Sequence, residues 1–95
     1  MKNENVIKNF LEREEAKTPL RDIYNYYGSY KGRTLWTREV AGRIELINYN
    51  TRIAYIDQNG LHINIKKYSD TTSKIQSQIK RLAQNANYNI FEYQE

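Results

Sequence analysis

Residues 66–81, KKYSDTTSKIQSQIKR, place a run of hydroxyl side chains between lysines, just before a stretch with helical spacing. Ser, Thr and Asp cap helices because their side chains accept hydrogen bonds from the free amide groups of the first turn. A helix start also carries partial positive charge, which suits an anion. Two interpretations stay open: a helix capped by a box of Ser73 and Gln76, or a site for phosphate or an acidic side chain. The site residues predicted in the second case are Lys66, Lys67, Thr71, Thr72, Ser73 and Lys74.

A second group of residues interleaves the only tryptophan with cations. The surface consists of Tyr30, Lys31, Arg33, Trp36, Arg38 and Arg43, and its predicted site residues are Arg33, Trp36, Arg38 and Arg43. Aromatic rings among cations are typical of proteins that bind single-stranded nucleic acid and of the residues that dominate protein interfaces. The alternative is that Trp36 closes the hydrophobic core while the cations face water.

Catalytic chemistry has little support in the residue types. The chain has one histidine, His62, and no cysteine, so a transition-metal site would depend on carboxylates alone. Glu12, Glu14 and Glu15 have the spacing of a solvated helix face, and no glycine-rich phosphate loop or nucleophile elbow is present. We therefore predict a protein that is not an enzyme and that uses no metal and no cofactor.

The positive charge is concentrated in the middle of the chain. Residues 1–16 hold three cations and four acids, residues 17–81 hold twelve cations and five acids, and residues 82–95 hold two acids. Such a middle favours a partner that presents phosphate or carboxylate groups. No apolar run approaches the roughly 20 residues of a membrane span, and the first residues lack the apolar region of a signal peptide. We expect a cytoplasmic protein without a membrane partner.

The elements that must position these residues follow from the apolar periodicity. Helical spacing predicts helices over residues 4–16, 19–27 and 73–86. The second begins at Thr18-Pro19 and ends at Gly28, and its apolar positions are Leu20, Ile23, Tyr24 and Tyr27.

Between the helices the period changes to two residues. Strands near 44–48, 52–57 and 61–65 are separated by turns at Asn50-Thr51 and at Asn59-Gly60, and a short strand near 34–38 precedes them. Residues 87–95 are predicted either to form an edge strand or to pack through Ile90 and Phe91.

The predicted fold class is α+β: N-terminal helices, a three-stranded antiparallel β-meander, and a C-terminal helix packed on the Leu61/Ile63/Ile65 face of the sheet. We expect one domain over residues 1–95, with a helical part over 1–28 and a meander-plus-helix module over 33–86.

Two motifs in this module carry a family resemblance. The motifs are Asn48-Tyr49-Asn50-Thr51-Arg52-Ile53-Ala54-Tyr55 and Tyr68-Ser69-Asp70-Thr71-Thr72-Ser73-Lys74. They resemble the YxTxIA and YSxTTSK motifs of a family of small phage-encoded proteins without a known activity. The resemblance covers about residues 33–80. It implies a virus or mobile-element source and a module of a meander and a helix.

The resemblance and the residue types together predict a non-catalytic accessory protein that binds a host macromolecule. The leading expectation is a counter-defence inhibitor of the anti-CRISPR type, whose partner is a host effector nuclease or its guide nucleic acid. The alternative is a module that binds DNA or RNA directly, because the order helix, three strands, helix resembles a double-stranded-RNA-binding domain.

Overall fold

The structure is a computed structural model that describes residues 1–95, and it has an α+β architecture. Two helices, α1 (Asn3–Leu11) and α2 (Asp70–Asn85), accompany seven strands. The strands are β1 (Arg21–Asn25), β2 (Gly28–Gly32), β3 (Leu35–Val40), β4 (Arg43–Asn48), β5 (Thr51–Asp57), β6 (Gly60–Asn64) and β7 (Ile90–Tyr93). No helix is both long and apolar enough to cross a membrane.

The prediction of a three-stranded meander is wrong, because the main sheet has five strands in the order β3-β4-β5-β6-β7. The predicted strands correspond to β4, β5 and β6, which pair antiparallel. β3 adds an antiparallel strand on one edge, and β7 adds a parallel strand on the other after α2 has crossed over the sheet. The added strands also remove the likeness in element order to a double-stranded-RNA-binding domain.

The predicted helix over 19–27 is also wrong: these residues belong to a separate antiparallel hairpin of β1 and β2. Leu20, Tyr24 and Tyr27 have helical spacing, yet all three are exposed, so no apolar helix face is buried here. A turn closes the hairpin, with the Tyr27 amide donating to the side-chain oxygen of Asn25 at 2.9 Å. Gly28, which was expected to end the helix, follows this turn. Its φ is 129°, a backbone conformation that residues with a side chain rarely adopt.

The core lies between one face of the five-stranded sheet and the two helices. Helix α1 contributes Val6, Ile7, Phe10 and Leu11, and α2 contributes Ile75, Ile79 and Ala83. The strands contribute Leu35, Ile44, Leu46, Ile53, Ala54, Ile56, Leu61 and Ile63. Ile65, which the alternation placed on this covered face, lies beyond the end of β6 and is half exposed.

Both helix boundaries differ from the predicted ones. Helix α1 ends at Leu11 rather than at residue 16, and Arg13 just beyond it has a positive φ of 60°. Helix α2 begins at Asp70 rather than at residue 73. Its N-cap is Ser69, whose side chain accepts a hydrogen bond from the Thr72 amide, so the predicted capping box of Ser73 and Gln76 is not formed.

Candidate functional site

The hairpin of β1 and β2, residues 21–32, carries exposed aromatic side chains and is called the arm below. Tyr24, Tyr26 and Tyr27 are 77%, 95% and 93% exposed. The rings of Tyr26 and Tyr27 meet edge to face at the tip, with their centroids 5.3 Å apart. An isolated hairpin is only marginally stable in water, so an exposed aromatic arm is a feature that needs an explanation beyond folding.

A pocket of about 430 Å³ opens at the base of the arm, where it meets β3 and the β4–β5 turn. We call it the arm pocket. Its aromatic lining residues are Tyr30, Trp36 and Tyr49, and its charged lining residues are Lys17, Lys31 and Arg33. No carboxylate lines the arm pocket, so its charged side chains are all positive.

Backbone contacts fix the walls of the arm pocket. The indole Nε1 of Trp36 donates to the carbonyl oxygen of Tyr49 at 2.9 Å, which holds the ring against the β4–β5 turn. Arg33 donates through Nη1 to the carbonyl oxygen of Thr18 at 2.6 Å. Lys17 forms an antiparallel bridge with Trp36, so these two side chains lie next to each other on the same side of the sheet.

Three arginines on the uncovered face of the five-stranded sheet surround one buried carboxylate. Glu45 is 2% exposed and forms ion pairs with Arg38 at 2.8 Å, Arg43 at 3.0 Å and Arg52 at 2.9 Å. Burial alone would raise the pKa of Glu45, but the hydrogen bonds from Arg52 and Arg38 and the nearby positive charges outweigh it and lower this pKa below its ordinary value. Arg38 also lies over the Trp36 ring, 6.0 Å from its centroid, and so links the cluster to the arm pocket.

A row of stacked rings crosses the same face of the sheet. The rings of Tyr55 and His62 are nearly parallel at 4.4 Å, and those of His62 and Phe91 are 5.0 Å apart. The guanidinium groups of Arg43 and Arg52 lie 4.7 Å from the Tyr55 centroid. A separation of 4.4 Å leaves no space for another ring, so this row cannot receive a planar ligand between its members.

A side-chain contact with Asp57 at the β5–β6 turn holds His62 in this row. Its Nε2 lies 3.1 Å from a carboxylate oxygen of Asp57. Burial opposes ionisation of Asp57, but the backbone amide of Asn59, the His62 side chain and the amide of Gly60 lower its pKa overall. His62 is therefore a packed and oriented residue of the uncovered face.

Two hydroxyl side chains at the start of α2, those of Ser69 and Thr72, have partners within the protein. Ser69 caps the helix, and the buried Thr72 donates to the side-chain oxygen of Asn48 at 2.7 Å. Lys67 lies 3.7 Å from Asp70 in an exposed pair. Lys66 lies over the Tyr68 ring, while Thr71 and Lys74 are exposed. The predicted site at this helix start stays a prediction, and Thr72 is available to it only if its bond to Asn48 opens.

The structure brings together one of the two predicted groups. Arg33 and Trp36 line the arm pocket, Arg38 lies over Trp36, and Arg43 joins Arg38 at Glu45. In the other group, Thr71, Thr72, Ser73 and Lys74 belong to α2, which packs on the opposite, covered face of the sheet, and Lys66 and Lys67 precede this helix.

Sequence reasoning missed three residues of the arm pocket and its surroundings, Lys17, Tyr49 and Arg52. Lys17 and Tyr49 contact Trp36 from other parts of the chain. They could have been predicted only if the pairing of the strands had been known.

No group of His, Cys, Asp and Glu side chains is arranged to hold a metal ion. Comparison with known proteins gave no match among protein-family models, curated proteins or solved structures.

Proposed function

We propose that this protein is a non-catalytic binding protein that holds a negatively charged macromolecule with its arm and arm pocket. The observation that carries the proposal is the combination of three highly exposed tyrosines with an adjoining pocket whose charged lining is entirely positive. Tyr, Trp and Arg are the residue types that contribute most to binding energy at protein interfaces.

Exposed apolar surface of this kind is unfavourable unless something covers it. The arm strands pack chiefly against each other rather than against the helices or the main sheet. A partner laid along the arm would bury the tyrosines, and it would order a hairpin that is marginal by itself.

The charges of the arm and its base suit a partner with acidic or phosphate groups. Residues 17–33 contain the cations Lys17, Arg21, Lys31 and Arg33 and a single acid, Asp22. Asp22 pairs with Lys31 at 2.7 Å, which leaves the other three cations free of a carboxylate partner. Such a surface steers an anionic partner during encounter, with an effect that weakens as salt is added.

The specific form that we propose is a counter-defence inhibitor of a host nuclease complex, in line with the phage-type motifs at residues 48–55 and 68–74. Such a complex offers acidic protein surface and guide nucleic acid at once. Direct binding of nucleic acid is the second candidate, favoured by the tryptophan and the cations of the arm pocket.

A capture experiment from a bacterial host lysate tests this function. Tagged protein and a triple variant, Tyr24→Ser with Tyr26→Ser and Tyr27→Ser, are each used as bait, with and without nuclease treatment, and the bound material is identified by mass spectrometry. We expect one nuclease complex on the native bait and none on the variant.

Each result of this experiment bears on a different part of the proposal. Equal capture by both baits would exclude the arm as the contact. If the captured material disappears after nuclease treatment, the protein binds nucleic acid directly and is not an inhibitor of a nuclease complex. If nothing specific is captured with or without nuclease, the proposed function is contradicted.

A further inference from the structure

We propose that the arm pocket binds one nucleotide of a single-stranded nucleic acid, with the base against the ring of Trp36 and the phosphate beside Lys17. This inference rests on the proposed function and names the anionic group that the arm pocket recognises.

The size and the walls of the arm pocket fit a nucleotide. Pockets for small molecules typically enclose about 300–1,000 Å³, and the arm pocket measures about 430 Å³. Neither Trp36 nor Tyr30 nor Tyr49 is stacked on another aromatic ring, in contrast to the closed row of Tyr55 and His62. Arg38 lies over the Trp36 ring at 6.0 Å, but all three rings line the arm pocket, where a base can stack on them.

The bridge between Lys17 and Trp36 sets a cation directly beside the indole. Side chains of residues paired across antiparallel strands lie on the same face, with their Cβ atoms about 5 Å apart. In a bound nucleotide the base can stack on the indole ring while its phosphate binds the neighbouring amine. Lys17 forms no ion pair, and Arg33 uses one guanidinium nitrogen on Thr18, so both retain donors for an anion.

A single strand fits this site better than a duplex or an acidic peptide. In a duplex the base faces are stacked on their neighbours and do not reach a protein ring. An acidic peptide would satisfy the cations, but it would leave the aromatic walls without a flat partner. Tyr26 and Tyr27 at the tip of the arm are also exposed, so that further bases of the same strand can stack there.

Trp36 is the only tryptophan of the chain, so its fluorescence reports on the arm pocket alone. The titrants are oligothymidylate, a duplex of equal length, thymidine monophosphate and polyglutamate, each at low and high salt. We expect saturable quenching by oligothymidylate that weakens as salt rises, and little response to the other three. Polyglutamate quenching as strong as that by the oligonucleotide would assign the pocket to an acidic protein instead. Equally tight binding of the mononucleotide would overturn the single-strand proposal.

Two lysine variants locate the phosphate. Lys17→Ala should weaken oligothymidylate binding about five- to tenfold and lower the salt slope by about 0.7, the value of one phosphate contact on a single strand. Lys2→Ala at the exposed start of α1, a lysine without an ion pair, is the matched control and should bind like the native protein. Equal losses in both variants would show a non-specific effect of charge and contradict the inference.

A Trp36→Phe variant, followed through the anisotropy of a labelled oligonucleotide, should bind about tenfold more weakly, because the smaller ring stacks less well. Unchanged binding by this variant would exclude Trp36 as the stacking ring.

If lysate capture yields a nuclease-resistant complex while oligothymidylate leaves Trp36 fluorescence unchanged, this inference fails and the proposed function stands. If neither partner binds, both fail.

Discussion

At the scale of single residues, Glu45 shows how this sheet face is held together. A buried carboxylate is unfavourable unless it is paired and hydrogen-bonded. Here Arg38, Arg43 and Arg52 supply that pairing, and Arg52 reaches a second carboxylate, that of Glu95, at 2.6 Å. Burial lowers the pKa of Arg52, but the bonds to both glutamates outweigh it and raise this pKa overall. The arginines are therefore held in fixed positions on the face.

Replacing this carboxylate should destabilise the protein and change its acid sensitivity. Glu45→Gln leaves three cations without their shared counter-ion, and we expect a loss of roughly 2–4 kcal/mol in the free energy of unfolding at neutral pH. The folded-state pKa of native Glu45 lies below its ordinary value of 4.5. The stability from its ionisation is therefore fully present above pH 4.5 and is lost as the pH falls through the lower folded-state pKa.

Urea unfolding of both proteins at neutral and acidic pH measures the two effects. The difference between native protein and variant should be large at neutral pH and shrink in acid. Glu39→Gln, an exposed glutamate on the neighbouring strand without an ion pair, is the matched control and should change little. A difference that stays constant with pH would show that the carboxylate charge does not stabilise the fold.

At the scale of elements, residues 69–73 illustrate what a local pattern can and cannot predict. The run of hydroxyl residues predicted a helix start, and a helix does start there. It favoured Ser73 as the cap, because Gln76 completes a capping box with Ser73, whereas the cap in the structure is Ser69. The choice is made by tertiary contacts: with Ser69 as the cap, Thr72 falls where its hydroxyl reaches Asn48.

Two single substitutions separate the caps. Ser69→Ala should cost about 1 kcal/mol of unfolding free energy, since it removes the acceptor of the Thr72 amide. Ser73→Ala should stay within about 0.5 kcal/mol, as is usual for surface positions. Thermal unfolding of the two variants beside the native protein measures this difference. A larger loss for Ser73→Ala would favour the capping box with Gln76 over the observed cap.

The strands show the same division between local and long-range information. Alternating side chains and the Asn59-Gly60 signal predicted β4, β5 and β6, since each pairs with its neighbour in sequence. The parallel pairing of β7 with β6 depends on the crossover by α2, which no local pattern encodes. The arm was predicted as a helix because Leu20, Tyr24 and Tyr27 share helical spacing, although spacing alone does not require that a face be buried.

The candidate site was predictable to a similar extent. Arg33, Trp36, Arg38 and Arg43 were found because aromatic and cationic residues alternate within one short stretch. Lys17 lies 19 positions before Trp36 and comes beside it only through the bridge between strands. Strand pairing also decides which aromatic rings stack on one another. Tyr55 and His62 are paired across β5 and β6 and stack, whereas the rings of the arm pocket have no such aromatic partner.

At the scale of the whole molecule, the helices and the five-stranded sheet supply the stability and the arm supplies contact surface. The core residues come from both helices and from β3 to β6, and none come from β1 or β2. The molecule measures 41 × 24 × 24 Å, an elongated shape that a projecting hairpin helps to explain. Folding and binding should therefore be separable in this chain.

Excising the arm tests this separation directly. Arg21 and Gly32 pair at the base of the arm, so an Asn-Gly turn can replace residues 21–32 and join Leu20 to Arg33. We expect the shortened protein to keep its far-ultraviolet circular dichroism apart from the lost strands, and to unfold cooperatively within about 1–2 kcal/mol of the native protein, since it loses no core residue. Loss of cooperative unfolding would show that the arm supports the fold. In the capture experiment the shortened protein should retain no partner, because it lacks the exposed tyrosines and four lining residues of the arm pocket, Ile23, Tyr30, Lys31 and Gly32. Full capture by a folded, shortened protein would place the binding surface elsewhere, with the start of α2 as the next surface to test.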